Sequence, residues 1–243
     1  SWVLRSLYAL AMAVLAGWPV GAPAASGRID EAARDEIVRH AADLPRLHAL
    51  IVAHRGNEVV ARAFRGPGLD IPVNIKSVSK SVISALAGIA IARGLIEGAS
   101  QSVVPLLGPM VPETASPKLR TVTVGHLLSM RSGLERTSGA NYGRWVASSD
   151  WVADALSRPF VDEPGGRMLY STGNTHIVSA LLTQVPGRST HALAQDWLGE
   201  PLGVDIPHWD RDPKGIYFGG NNMLMSPRAL LRFGELYRSG GVY

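Results

Sequence analysis

Apolar residues recur at two spacings along the chain, and each spacing predicts a different element. In residues 29–44 (IDEAARDEIVRHAADL) they lie three and four positions apart, which is typical of an amphipathic helix. Residues 47–64 form two β-type runs on either side of an Arg-Gly-Asn turn, which predicts a hairpin. Residues 77–93 begin polar and then turn apolar, which predicts a helix that is buried along most of its length.

The remainder of the chain is patterned mainly as helices between loops. A loop is predicted for residues 65–74, and helices are predicted within 148–159, 173–185, 190–203 and 226–241. No strongly β-type run follows residue 125. A lone hairpin is marginal without further strands. The pattern therefore predicts an incomplete sheet whose remaining strands lie beyond Tyr243, in other words a C-terminally truncated chain.

The first residues have the features of an export signal. Arg5 precedes the apolar run LYALAMAVLAGW, and the small residues around Ala24 fit a cleavage site. This pattern predicts a signal peptide over residues 1–24 and export to a bacterial periplasm or the medium. The apolar run is short for a bilayer, so no stable membrane span is expected after cleavage. An uncleaved anchor and a buried helix remain as alternatives.

Composition narrows the classes of function. The 243 residues carry a net charge of +4, and the 24 basic residues are spread without a basic run, so a nucleic-acid partner is not expected. The chain has no cysteine, which excludes disulfides, thiolate catalysis and cysteine-ligated zinc. Its seven histidines show no HExxH or HxH spacing. We therefore expect neither a metal nor an organic cofactor.

Candidate chemistry lies at the polar start of the apolar helix. Ser77 and Lys80 stand three positions apart, so their side chains are neighbours on one side of a helix. A serine hydroxyl needs a base to become a nucleophile. A lysine among apolar groups can act as that base, because burial disfavours its charged form. On these residues alone, a plain helix cap at Ser77 with a solvated Lys80 remains the alternative.

Four segments in a fixed order extend this pattern. They are residues 77–80 (SVSK), 121–134 (TVTVGHLLSMRSGL), 163–182 (EPGGRMLYSTGNTHIVSALL) and 219–241 (GGNNMLMSPRALLRFGELYRSGG). Together they resemble the penicillin-recognising serine hydrolases, whose Ser-x-x-Lys motif has a related form in class A β-lactamases. That family includes class C β-lactamases, D-alanyl-D-alanine carboxypeptidases, related esterases and 6-aminohexanoate-dimer hydrolases.

The resemblance implies a fold and a division of the chain. The implied fold is α+β and β-lactamase/transpeptidase-like, with an antiparallel sheet flanked by helices and a mostly helical lobe. Residues 25–243 would form one such domain. Within it, residues 25–75 would belong to the α/β lobe and residues 76–243 to the mostly helical lobe.

The resemblance also implies roles for individual residues. Ser77 would be the nucleophile that becomes acylated, and Lys80 and Tyr170 would be the acid/base groups. A free tyrosine has a pKa near ~10, so two nearby cations are expected to lower it. Thr172 stands where the family has asparagine, and Asn174 is a nearby substitute. These two residues and Asn221 are the candidate substrate-binding residues.

Departures from the family pattern bear on the function. The third motif, Lys-Thr-Gly or His-x-Gly, is not found, because residues 238–240 (Arg-Ser-Gly) are interpreted as a helix end. The resemblance and Thr172 favour a serine hydrolase that acts on amide or ester bonds of a small molecule or peptide through an acyl-enzyme. A β-lactamase or D-Ala-D-Ala carboxypeptidase proper is one alternative. A catalytically inactive fragment or binding homologue is the other.

Overall fold

A computed structural model describes residues 29–242, and the predicted signal peptide lies outside the described residues. The described chain forms two compact units, residues 29–64 and residues 65–242. Across this part of the chain, no helix is both long enough and apolar enough to cross a membrane. The predicted division at residue 75 stays a prediction.

The first unit contains one helix and one hairpin. Its elements are helix α1 (Glu31–Ala42) and the antiparallel strands β1 (Ala49–His54) and β2 (Asn57–Ala63). Asp30 caps α1, because its carboxylate accepts the backbone N–H of Ala33 at 2.7 Å. The turn residues Arg55 and Gly56 both have positive φ, as the tight turns favoured in hairpins require. The helix and the hairpin predicted from the pattern are thus confirmed.

The second unit is mainly helical. Its helices are α2 (Ser79–Ala92), α3 (Val103–Leu107), α4 (Val124–Leu128), α5 (Tyr142–Val146), α6 (Trp151–Leu156), α7 (Thr172–Gln184), α8 (Thr190–Ala194), α9 (Glu200–Leu202) and α10 (Pro227–Arg238). Short 3-10 turns span Lys76–Val78, Gly108–Met110, Pro117–Thr121 and Gly139–Asn141. The predicted helix at 190–203 is divided, since a π-helical turn, Gln195–Gly199, separates α8 from α9. Residues 238–240 do form a helix end, with Ser239 as the C-cap of α10.

Two short strands of this unit were not predicted. Strand β3 (Val73–Asn74) pairs antiparallel with β4 (Leu224–Met225). The loop predicted for residues 65–74 is therefore wrong at Val73 and Asn74. A two-residue strand carries no alternating pattern of its own, and only its distant partner defines it.

Helix α7 is the centre of the second unit. Eleven consecutive residues, from Thr172 to Leu182, are buried, so this helix is enclosed on all sides. It packs against α2, α3, α4, α6 and α8. The apolar run of α2 is buried as predicted, with Val82, Ile83 and Leu86 fully inaccessible to solvent. The polar first turn of α2 is thereby held next to the start of α7.

A glycine pair lies directly on α7. A Cβ atom added to Gly219 would overlap the carbonyl oxygen of Thr175, and one added to Gly220 would meet Cγ2 of Thr172 at 2.5 Å. Contacts below 3.0 Å are not tolerated by real side chains. Only glycine permits this close approach of the two backbones.

Candidate active site

Ser77 lies in the 3-10 turn that immediately precedes α2, and it is exposed. Lys76, the residue before it, has φ 51°, which is uncommon for a residue with a side chain. The side-chain oxygen of Asn74 accepts the backbone N–H of Lys76 at 2.8 Å and stabilises this conformation. The backbone therefore presents the Ser77 hydroxyl at the surface of the turn.

Ser79 attaches this turn to the loop before β4. Its buried hydroxyl donates to the carbonyl oxygen of Lys76 at 2.5 Å and accepts the backbone N–H of Met223 at 3.1 Å. The backbone N–H of Ile75 also donates to the carbonyl oxygen of Met223, at 3.0 Å. The position of Ser77 is thus fixed by two segments that are far apart in the sequence.

Lys80 projects from the first turn of α2 and is only 9% exposed. Its ammonium group donates to Oγ of Ser77 at 3.2 Å and to the carbonyl oxygen of Gly220 at 2.5 Å. The same nitrogen lies 4.9 Å from the centroid of the Tyr170 ring. Among residues 29–242, no ion pair joins Lys80 to a carboxylate. Neutral oxygen atoms and an aromatic ring therefore orient this cation.

Tyr170 completes the group. Burial raises the pKa of its phenol, but hydrogen bonds with Ser77 and Lys80 and the charge of Lys80 outweigh that effect. The net result is a pKa below the usual value for tyrosine. Two nearby cations were expected from the sequence, but among residues 29–242 Lys80 alone supplies the positive charge that lowers this pKa.

The lowered pKa of Tyr170 can be tested by spectroscopic titration. The tyrosinate absorbance of Tyr170 is the part of the wild-type signal that is missing in Tyr170→Phe. We expect it to develop below pH ~10, because a lowered pKa means that the proton leaves at a lower pH. Tyr237→Phe is a matched control, since burial raises the pKa of Tyr237 and its tyrosinate should form at a higher pH. A Tyr170 transition at or above that of Tyr237 would contradict the geometry described.

Thr172 and Asn174 lie at the buried start of α7. The hydroxyl of Thr172 is 3.0 Å from Oγ of Ser138, which also accepts the Thr172 backbone N–H at 2.9 Å. The side-chain oxygen of Asn174 accepts from Ser132 at 3.2 Å, and its Nδ2 has no partner among the described residues. The structure therefore brings together Ser77, Lys80 and Tyr170, while the hydroxyl of Thr172 and the side-chain oxygen of Asn174 contact Ser138 and Ser132.

Asn221 follows Gly220 and so borders the site. Its Oδ1 accepts the backbone N–H of Asn222 at 3.1 Å, and its Nδ2 lies 3.5 Å from the hydroxyl of Tyr142. Asn222 has φ 64°, and its side chain bonds to Asn74 at 3.1 Å. Asn222, which like Lys76 has a left-handed conformation, is therefore linked to strand β3, which precedes Ser77.

Gly220 is the member of the site that the sequence did not identify. Its contribution is a backbone carbonyl, which any residue type supplies, so the residue identity gives no direct signal. An indirect signal exists in the Gly219-Gly220 pair, because paired glycines often mark a close backbone approach.

The arrangement has a definite chemical capacity. An exposed hydroxyl contacts a cation, and both groups lower the pKa of a phenol, which therefore loses its proton more readily than usual. Such a group can take the proton of the hydroxyl as it attacks an electrophile. Within residues 29–242, no set of three or more His, Asp or Glu side chains is placed to hold a metal ion.

Comparison with a protein-family model gives a match over most of the chain. The model is described as Beta-lactamase, and it matches residues 35–242. No curated protein matches the sequence.

Solved structures give matches at low sequence identity. EstCE1, described as a hydrolase with promiscuous acyltransferase activity, is 19% identical with a TM-score of 0.69, covering 86% of this chain and 72% of its own. An octameric penicillin-binding protein homologue from Pyrococcus abyssi is 17% identical with a TM-score of 0.67, and the match covers 88% of this chain and 57% of the homologue. A beta-lactamase/D-alanine carboxypeptidase from Yersinia pestis is 17% identical with a TM-score of 0.60, and the match covers 78% of this chain and 62% of that protein.

These matches establish the fold. Identities of this size show a common architecture, and the α+β, β-lactamase-like fold predicted from the sequence is confirmed. The chain spans 57% to 72% of the length of these three structures.

Proposed function

The chain belongs to the beta-lactamase family, and on that premise we propose that it is a serine hydrolase that cleaves amide or ester bonds through an acyl-enzyme on Ser77. One observation carries the proposal. The buried ammonium group of Lys80 contacts Oγ of Ser77 at 3.2 Å and lies 4.9 Å from the centroid of the Tyr170 ring, and Ser77 and Lys80 lower the pKa of the Tyr170 phenol. A nucleophile, a cation and an acid/base group are thus in mutual contact.

In the acylation step, Oγ of Ser77 attacks the carbonyl carbon of the substrate and its proton passes to the phenolate oxygen of Tyr170. The bond from the carbonyl carbon to the leaving nitrogen or oxygen then breaks, and Tyr170 returns the proton to that leaving group. Lys80 keeps its proton, stabilises the phenolate and orients Ser77. A neutral Lys80 that takes the serine proton itself is the alternative assignment.

Deacylation repeats these transfers with water. The oxygen of a water molecule attacks the acyl carbon, and Tyr170 takes a proton from that water. Tyr170 then passes the proton to Oγ of Ser77 as the ester bond breaks. In both steps, negative charge develops on the carbonyl oxygen of the substrate. We propose the backbone N–H of Ser77 as one donor to that oxygen, because the first amides of a helical turn lack internal acceptors.

The proposed substrate is an amide or ester of a small molecule or peptide. Two of the similar structures are described as a hydrolase with acyltransferase activity and a beta-lactamase/D-alanine carboxypeptidase, which supports acyl-transfer chemistry. Thr172 stands in the place of the family's asparagine, and its hydroxyl is paired with that of Ser138 at 3.0 Å, which favours the wider group of amide and ester hydrolases over an efficient β-lactamase. From residues 1–24 we also propose that the protein is exported.

The proposal is tested by labelling with a fluorophosphonate probe, together with turnover of a chromogenic short-chain ester. We expect the intact mass to increase by one probe, the modified peptide to contain Ser77, and Ser77→Ala to lose both labelling and turnover. Ser81→Ala is the matched control, since Ser81 is an exposed serine in the first turn of α2. A folded wild-type chain that gains no probe would contradict the proposal. A fluorescent penicillin, added in parallel, would reveal β-lactam recognition.

A further inference from the structure

A buried histidine–carboxylate pair lies behind the site and takes no part in the proton transfers above. His176 is on α7 and Asp212 is in the loop before β4, and both side chains are fully buried. Nε2 of His176 is 3.0 Å from Oδ2 of Asp212. The other carboxylate oxygen accepts the backbone N–H groups of Lys214 at 2.9 Å and Ile216 at 2.8 Å. The carboxylate is thus fixed by three hydrogen bonds.

The hydrogen bonds of His176 determine its tautomer. Its Nδ1 accepts the backbone N–H of Gly219 at 3.4 Å, and a ring nitrogen that accepts a hydrogen bond carries no proton. The proton therefore resides on Nε2, which donates to Asp212. Because Nε2 donates to the carboxylate of Asp212, Nδ1 carries no proton and can only accept a hydrogen bond.

An aromatic enclosure fixes the plane of the imidazole ring. The ring centroid of His176 lies 5.8 Å from that of Trp145, 5.4 Å from that of Trp151 and 5.8 Å from that of Phe218. These edge-on and tilted contacts leave the ring no room to rotate within a close-packed core. His176 therefore offers Nδ1 to Gly219 in one orientation.

Gly219 connects this pair to the candidate active site. The next residue, Gly220, accepts the hydrogen bond of Lys80, which in turn contacts Ser77. A continuous set of hydrogen bonds thus leads from Asp212 through His176 and the glycine pair to Lys80. The glycine pair cannot shift towards α7, because its backbone already touches that helix.

We propose that His176 is a positioning residue for the serine reaction. Asp212 selects the tautomer, His176 holds Gly219, and the Gly220 carbonyl then directs the ammonium group of Lys80 towards Ser77. This inference rests on the proposed function, since it assigns a role in the reactivity of Ser77. It places neither His176 nor Asp212 in contact with the substrate.

Asp212→Asn tests the inference with minimal change of shape. The asparagine oxygen can still accept from Lys214 and Ile216, which leaves an NH2 group facing Nε2 of His176. Nε2 must then accept, so the proton moves to Nδ1 and the bond from Gly219 is lost. Because a misplacement of about 1 Å in a catalytic group costs about 100-fold in rate, we expect Ser77 labelling to slow by about that factor.

Two substitutions of His176 form a matched pair. In His176→Asn the shorter amide reaches the position of Nδ1 and can still accept from Gly219. In His176→Gln the longer amide reaches the position of Nε2 and keeps only the Asp212 contact. We expect His176→Asn to retain more labelling per folded molecule than His176→Gln. Equal labelling of the two variants, with both folded by circular dichroism, would overturn the inference.

Nitrogen NMR of the imidazole and of the Gly219 amide separates this inference from the proposed function. We expect the wild-type spectrum to show a protonated Nε2 and a bare Nδ1, and Asp212→Asn to reverse them and shift the Gly219 amide. Unchanged labelling in a variant whose tautomer has reversed would refute the positioning role. If the wild type is not labelled at all, the proposed function fails, and an unshifted Gly219 amide would then refute the inference independently.

Discussion

Replacing Lys80 with methionine should slow the acylation of Ser77 by about 10²- to 10⁴-fold, the range that general acid–base catalysis contributes, because Tyr170 loses the cation that favours its phenolate form. Lys80 contacts Oγ of Ser77 at 3.2 Å, and its charge lowers the pKa of Tyr170. The substitution removes both effects. The phenol should then hold its proton to a higher pH. The measurement is the second-order rate constant of fluorophosphonate labelling, normalised to folded protein.

Lys76→Met is the matched control for this experiment. It removes the same charge from an exposed side chain in the turn before α2, and we expect labelling within a few-fold of the wild type. Methionine at position 80 leaves the Gly220 carbonyl without its donor, which costs about 1–3 kcal/mol. Thermal denaturation therefore accompanies each rate. Wild-type rates in a folded Lys80→Met would remove Lys80 from the mechanism.

Gly219→Ala should lower the free energy of unfolding by about 3 kcal/mol, at the upper end of the range for overpacking. The new Cβ would overlap the carbonyl oxygen of Thr175 and would lie 2.7 Å from Cβ of Ser179. Both atoms belong to the enclosed helix α7, which has no space to retreat. The segment must therefore lift, and the Gly220 carbonyl should move away from Lys80.

Gly234→Ala controls for the general effect of replacing a glycine. Gly234 is an exposed residue of α10, and its added Cβ would meet no heavy atom within 4 Å. Alanine in a helix interior is favoured over glycine by about 0.5–1 kcal/mol, so we expect a gain in stability. Urea denaturation of both variants gives the comparison. A Gly219→Ala protein as stable as the wild type would show that the glycine pair does not lie against α7.

Local patterns predicted the parts of the molecule that depend on near neighbours. The spacing of Ser77 and Lys80, the apolar run of α2 and the hairpin all follow from residues close together in the sequence. Tyr170 was identified only through the family resemblance, because nothing in its surrounding residues links it to Ser77. The structure places it beside Lys80 nonetheless.

The remainder of the site depends on contacts between distant segments. The acceptor for Lys80 is a backbone carbonyl, and the bond between His176 and Asp212 joins side chains that have many other plausible partners in the sequence. Thr172 and Asn174 were selected by their distance from Tyr170 along the chain. The structure places the hydroxyl of Thr172 against Ser138 and the side-chain oxygen of Asn174 against Ser132, and a role of these residues in substrate binding stays a prediction.

The pairing of β3 with β4 also has a consequence for the order of folding. Three hydrogen bonds around Ser77 close loops of 140, 144 and 148 residues: Lys80 to Gly220, Met223 to Ser79, and Asn74 to Asn222. Helices form from local contacts within microseconds, whereas long loops close later and at an entropic cost. During synthesis, the surroundings of Ser77 cannot assemble until β4 has left the ribosome. A growing chain therefore carries Ser77 without these partners until residues 220–223 have been synthesised.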